Sequence, residues 1–369
     1  MKDIYELLND INIDETEFEE IEVNELEKAK VKSALKKSLS MKKKIKSWKK
    51  NVAVASIIII LSCTTFGITF PAYASSIPVI GDIFSFLNNG GTGSSLYNNY
   101  KEHSTEMNVT KESKGIKVTM NDAIYDGNTV SLTYSIESEQ DLGENLMIHG
   151  NPTFEESKGM AGSSKISKVD EHHYVGIYNA TNLTSNMEDT VKIKWDLDSI
   201  FIQDMQEEII GDWEFDFTLK ATDSRVQFIA QSAEQDGVKV NIEKISINPM
   251  SFIVYYGQQV SDEVRNKWHE VYVELEIKDD LGNFYSGEGN GGLGKDSYTM
   301  SLSKTFEKLE QHATKLIVTP HITLRSHNPD NYGSVEITES GPKEIPIPTK
   351  SGVGKEDFVL QDIIIELKK

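Results

Sequence analysis

The chain has one cysteine in 369 residues, Cys63, and it lies inside an apolar run. No disulfide or thiolate metal site is therefore available beyond that run. A large disulfide-free region suits a bacterial envelope better than a small stapled secreted scaffold. The Asn-x-Ser/Thr triplets at Asn108, Asn179 and Asn182 are too common in any sequence to weigh against this. Positive charge is also scarce: residues 75–369 hold 26 basic side chains against 47 acidic ones. Phosphate binding needs clustered cations, so nucleic acid is not expected as a partner.

Catalytic constellations are missing as well. Neither G-x-S-x-G, H-E-x-x-H nor a Cys-His pair occurs. Gly287–Gly294 is glycine-rich, but Gly294-Lys295-Asp296 lacks the ending of a phosphate loop, and a flexible hairpin connection is expected there. Asp279-Asp280-Leu281-Gly282-Asn283 lacks the alternating ligands and final Glu of a calcium loop and reads as a turn. The adjacent His172 and His173 would point to opposite faces of a strand and make no shared metal site. No enzymatic activity, cofactor or metal is expected.

One stretch lacks charge altogether. Val52–Phe70 contains no Asp, Glu, Lys or Arg over nineteen residues. As a helix it would span roughly 28 Å, close to the ~30 Å of a hydrocarbon core. Lys42, Lys43, Lys44, Lys46, Lys49 and Lys50 precede it, and no Lys or Arg follows until Lys101. The positive-inside bias then puts the N-terminus in the cytoplasm and everything after about Pro71 outside. Trp48 and Tyr73 sit where interfacial anchors lie, so the lysines and Trp48 form the expected membrane-interface set. Each lysine near anionic lipid contributes about 1 kcal/mol.

Two processing readings compete with a retained anchor. Ala72-Tyr73-Ala74 has the form of a signal-peptidase site, but the basic region ahead of it is too long for an ordinary signal. Ile60-Leu61-Ser62-Cys63 has the outline of a lipoprotein box in which Leu61 fits poorly. Ser62, Thr64, Thr65 and Gly67 lower helix stability locally, which would ease cleavage within the membrane by a processing protease.

The arm ahead of the run divides by charge. Residues 1–27 carry eleven acids and one lysine, and residues 28–50 carry eleven lysines and no acid. Ile4, Tyr5, Leu7, Leu8 and Ile11 fall at helical spacing. Asn24 and Glu27 have capping-box spacing ahead of a second helix striped by Leu26, Ala29, Val31, Ala34, Leu35 and Leu39. About fifty residues cannot bury a core alone. The arm is therefore either a tail that only sets topology or a pair of short helices that dock on a cytosolic partner. The docking face would comprise Ile4, Tyr5, Leu7, Leu8, Ile11, Leu26, Val31 and Leu35. A partner with a basic surface, such as a protein that otherwise binds DNA, would be steered to the acidic stretch.

The outer part repeats itself. Ile77–Leu87 is an apolar lead-in, too short to span again, expected to rest on the membrane or plug the first domain; Asn88–Ser95 is a linker. Gly115–Met120 alternates strictly, and Val130, Leu132, Tyr134 and Ile136 alternate again after the Asp126-Gly127-Asn128 turn. Gly237–Ile242 repeats the first pattern 122 residues on, and Phe252, Val254 and Tyr256 fall opposite Val130, Leu132 and Tyr134. Phe215-Asp216-Phe217-Thr218 answers Val335-Glu336-Ile337-Thr338 near the end of each copy. These matches predict a mainly β protein with two tandem antiparallel β-sandwich-like domains. The expected division is an arm over 1–51, a transmembrane helix over 52–70, a lead-in and linker over 71–95, β domains over 96–223 and 224–345, and a tail over 346–369. Phe358–Leu367 reads as a last strand or as a segment added to a neighbouring edge.

The order of parts resembles a Gram-positive (Firmicute) family of membrane-anchored regulators known through a domain of unknown function. The likeness rests on the lysine-flanked anchor, Phe70-Pro71-Ala72-Tyr73-Ala74, Ile77–Phe84 and the Gly115–Ile136 hairpin, with Gly237 to about Thr338 similar to the β domain that often follows. Some members are inhibitors of extracytoplasmic-function sigma factors, of the sigma-M-inhibitor type. The resemblance implies an anti-sigma factor whose arm holds a sigma factor in the cytoplasm. The zinc motif H-x3-C-x2-C is absent, because no Cys or His precedes Cys63, so docking would proceed by helices alone. The other expectation is a surface-anchored binding or scaffold protein with an immunoglobulin-like ectodomain and no cytoplasmic partner.

Overall fold

Alternation and turn chemistry dictate the first hairpins. Lys114-Gly115 and Asp236-Gly237 are two-residue turns with φ of 54°, 74°, 47° and 76° in chain order. Positive φ at both central residues matches the right-handed twist of the strands they join, and Gly supplies it without a Cβ penalty. The computed structural model describes residues 82–89, 96–155, 157, 159–183, 189–328, 333–338 and 341–368. All lie in the larger of the two units into which the chain separates, Ser76–Lys369. The arm and the Val52–Phe70 run lie outside the described residues. Among the described residues, no helix is long and apolar enough to cross a membrane.

The protein is mainly β. After α1 (Ile83–Asn89), the first half runs β1 (Thr105–Ser113), β2 (Ile116–Tyr125), β3 (Thr129–Ser138), β4 (Leu146–His149), β5 (Pro152–Phe154), β6 (Met160–Lys168), β7 (His173–Asn182), β8 (Thr190–Ile202) and β9 (Glu207–Lys220). One sheet has the order β1-β2-β3-β7-β6; in the other, β4, β5 and β9 all pair with β8. The two enclose a core centred on Trp195, Trp213, Tyr134 and Tyr174. Both indoles find acceptors inside it, Trp195 Nε1 donating to Gly150 O at 3.0 Å and Trp213 Nε1 to Ile116 O at 3.0 Å.

The second half follows the same plan. It runs β10 (Arg225–Gln235), β11 (Val238–Ile247), β12 (Ser251–Val260), α2 (Asp262–Lys267), β13 (Glu270–Asp279), β14 (Phe284–Tyr285), β15 (Gly287–Asp296), β16 (Thr299–Glu307), β17 (Lys315–Arg325), β18 (Gly333–Thr338), β19 (Gly341–Pro346), β20 (Lys355–Val359) and β21 (Ile363–Glu366). The sheet β10-β11-β12-β16-β15 has the order of the first sheet, strand for strand. Even its irregularities repeat. The β1–β2 register shifts between Glu106 and Val109, and β10–β11 between Phe228 and Gln231. The β2–β3 shift at Met120/Asp122 recurs 122 residues on at Ile242/Lys244. Bulges at one fixed offset are inherited features of a duplicated fold rather than accidents of packing.

Three expectations are corrected. Residues 346–369 are not a tail apart from the second domain: β20 and β21 both pair with β17, and Leu360, Ile363 and Ile365 are buried in its core. Val335–Thr338 is not the counterpart of Phe215–Thr218. It belongs to β18, which among the described residues pairs only with β19, in a hairpin inserted between β17 and β20. The strands that occupy the place of β9 are β20 and β21. Finally, Gly287–Gly294 is no flexible connection but most of strand β15. Its glycines let two backbones close up, since a Cβ at Gly287, Gly292 or Gly294 would lie 2.4–2.5 Å from a β16 carbonyl oxygen.

The lead-in helix gives the first sheet a second covered face. Asp82 caps α1 by accepting from Ser85 N at 3.1 Å, and Ile83, Phe84 and Leu87 form its buried stripe. Along β7, Tyr174 and Tyr178 face the sandwich core while Val175 and Ile177 face the cluster of α1. Burial on both faces explains why β7 reads as a nearly continuous apolar run.

Candidate functional site

Tight turns put polar groups where the two sandwiches meet. In the β2–β3 turn, Asp126 Oδ1 accepts from Asn128 N at 2.9 Å and Thr129 N at 2.7 Å. From this turn the Asn128 side chain reaches Ser303 Oγ on β16, at 3.5 Å. The edge strands β6 and β15 approach so closely that a Cβ at Gly291 would lie 2.7 Å from Ala161 Cβ. Residues Leu96–Tyr100 close the seam. Tyr97 Oη donates to Glu288 Oε2 on β15 at 2.6 Å and accepts from Asn179 Nδ2 on β7 at 2.7 Å. Met250, fully buried in the β11–β12 turn, joins Ile83, Phe84, Leu87, Tyr97 and Tyr100 in one apolar cluster. One short segment thus holds both sandwiches.

These groups border a cavity of about 240 Å³. Its charged lining residues are Asp126 and Glu288, and among the described residues no lysine, arginine or histidine lines it. A neighbouring cavity of about 160 Å³ lies beyond Asn128 and Ser303 and carries Glu243, Lys244 and Tyr255. Burial shapes the electrostatics. Asp126 is pushed up to about 6, because desolvation outweighs its bonds from the Thr129 and Asn128 backbone N–H groups. Burial also raises the phenols of Tyr97 and Tyr100, with Glu288 adding to the first and Asp126 to the second. Such a site can neutralise a cation or take up a proton.

The residues expected to dock a partner, Ile4 to Leu35, and those expected at the membrane interface, Lys42 to Lys50, lie outside the described residues. Only His173 lies on a strand, since β7 begins there, and the two histidines have separate partners. His172 Nδ1 contacts Ser138 O, and His173 Nδ1 contacts Asp170. The Asp279–Asn283 segment is a turn closed by Asp279 Oδ1, which accepts from Leu281 N and Asn283 N at 2.9 Å each. Sequence reasoning missed Tyr97, Asp126, Asn179 and Glu288 as a group. The available signal was the 122-residue offset, which sets Asp126 opposite a neutral Asn248.

Two family models match separate stretches of the chain. Residues 42–138 match the model of a domain of unknown function (DUF4179), and residues 224–367 that of a family of unknown function (DUF5643). The crystal structure of the conserved domain protein from Bacillus anthracis is similar at 48% identity, with a TM-score of 0.70, over 79% of this chain and 100% of that one. The chain belongs to the family of that conserved domain protein. No curated protein matches.

Proposed function

We propose that the chain is a single-pass membrane regulator of the anti-sigma type, without enzymatic activity. In this reading Val52–Phe70 is the span, the arm holds a sigma factor in the cytoplasm, and the paired sandwiches outside sense the envelope. The observation that carries it is the placement of Ile83, Phe84 and Leu87, which begin thirteen positions after Phe70, and of Leu96, Tyr97 and Tyr100, which together pack against both sandwiches. A rearrangement of the seam would therefore act directly on the segment leading to the span. The uncharged run behind its lysine collar supplies the second half of the reading.

Full-length protein crosslinked in native membranes should carry a sigma factor, recovered by affinity capture. Deleting residues 3–26 should switch on the dependent promoters constitutively. Capture of no sigma factor, together with silent promoters after the deletion, would remove the anti-sigma reading.

One observation favours a second reading, a surface-anchored binding protein. The β18–β19 hairpin has no counterpart among the described residues of the first half and leaves Val335 59% and Ile345 41% exposed. Exposed apolar side chains on a projecting hairpin suit adhesion. In that case the deletion of residues 3–26 leaves activity intact, whereas loss of the hairpin abolishes it.

A further inference from the structure

Asp126 has an internal twin that shows what its turn requires. At the same place in the second half, Asn248 Oδ1 accepts from Met250 N at 3.0 Å and Ser251 N at 2.7 Å. The turn needs an amide-type oxygen, and a neutral side chain provides it. The negative charge of Asp126 is therefore surplus to folding, yet it is buried to 4% exposure, and among the described residues no cationic side chain lines its cavity. Buried charges are ordinarily paired.

A second feature lies in the wall of the same space. The Tyr97 hydroxyl gives its proton to Glu288, so its oxygen can only accept from the Asn179 amide nitrogen. That fixes the amide's orientation and leaves Asn179 Oδ1 buried with no hydrogen-bond partner. Two carboxylates and an orphan carbonyl oxygen all present acceptors, and the surrounding Thr129 and Ser131 hydroxyls can do the same.

We propose that the seam cavity binds a small organic ammonium ion, with Asp126 and Glu288 as counter-charges and Asn179 Oδ1 as a hydrogen-bond acceptor. The volume of about 240 Å³ exceeds what a single bare ion fills. The rings of Tyr97 and Tyr100 border the cavity and add a cation–π face. Among the described residues, no third carboxylate or histidine joins the two acids to complete a metal-holding group. Because the cavity walls come from both sandwiches and from Leu96–Tyr100, the bound cation would clasp the seam. The inference deepens the sensor reading, but its test does not involve the arm or its partner.

The test is isothermal titration calorimetry on the full chain in detergent at pH 7.5. Probes are methylammonium, ethanolamine and butane-1,4-diamine, with butane-1,4-diol as the uncharged counterpart of the last. At least one amine should bind saturably and the diol should not. Asp126→Asn and Glu288→Gln should each weaken the amine at least about tenfold, the loss of one charge-assisted hydrogen bond. Asp126→Asn copies the twin turn at Asn248 and is expected to fold, which its melting curve checks. Four results would overturn the proposal: silence from all three amines, equal binding of the diol, unchanged affinity in both variants, or calcium binding at the same residues in place of amines. Sigma-factor capture reads separately, so either idea can fail alone.

Discussion

At the scale of single residues, the twin turns separate structure from charge. Folding raises the Asp126 carboxyl from an ordinary 3.8 to about 6 through burial. The native state therefore holds a proton that the unfolded chain releases at lower pH. The resulting stabilisation is complete below about 3.8 and is lost as pH rises through about 6. Without a bound cation, Asp126→Asn should thus gain on the wild type as pH rises, levelling off near 3 kcal/mol, a figure on the order of two pK units. Urea unfolding of both proteins from pH 4 to 8 checks this, and parallel curves would count against it. Gly176 makes a steric case. A Cβ there would lie 2.2 Å from Tyr134 Cζ across the β3–β7 pair. Gly176→Ala should cost about 1–3 kcal/mol by overpacking, read as a lower melting temperature. Neither residue stood out in the sequence. Asp126-Gly127-Asn128 is an ordinary turn signal, because the other walls of its cavity come from Leu96–Tyr100 and from strands β6, β7, β15 and β16, all distant in sequence.

At the scale of elements, legibility followed locality. The β2–β3 and β11–β12 hairpins announce themselves through alternation and turn residues, and their registers follow the repeat offset. The edge strand β15 does not, since glycines carry no side chains from which a period of two can be read. The last strands were obscured differently. The hairpin β18–β19 pushes β20 and β21 beyond the position where the offset places a partner for β9, and β18 alternates well enough to stand in for them. The consequence is testable. Truncation after Gly354 removes β20 and β21 and with them Leu360, Ile363 and Ile365, exposed by only 3%, 4% and 1%. At ~1.5–3 kcal/mol for each buried side chain, the loss is about 6 kcal/mol, comparable with the whole stability of many domains. The truncated protein should lose the second sandwich to limited proteolysis while the first persists. An intact, protease-resistant second half would mean that these strands are dispensable.

At the scale of the whole molecule, two similar sandwiches are made unequal by what lies on them. Only the first carries α1 on its outer face, and the second reaches that cluster through Met250. Met250 occupies the repeat position of Asn128, which itself extends toward Ser303 on the other sandwich. Corresponding turn positions thus supply contacts in opposite directions across one seam. No single copy of the repeat contains this arrangement, so pattern matching between copies could not reveal it. Met250→Ala should leave both sandwich cores intact, because the side chain belongs to neither. Large-to-small truncation of a fully buried methionine costs about 2–5 kcal/mol, here from the stability of α1 and Leu96–Tyr100. Amide exchange should then quicken by about thirtyfold or more in residues 83–100 while β2, β3, β11 and β12 keep their protection. If the seam relays to the arm as proposed, the same variant also raises sigma-dependent transcription without any signal. Faster exchange with unchanged transcription would keep the packing argument and remove the relay; uniform loss of protection would place Met250 in the common core instead.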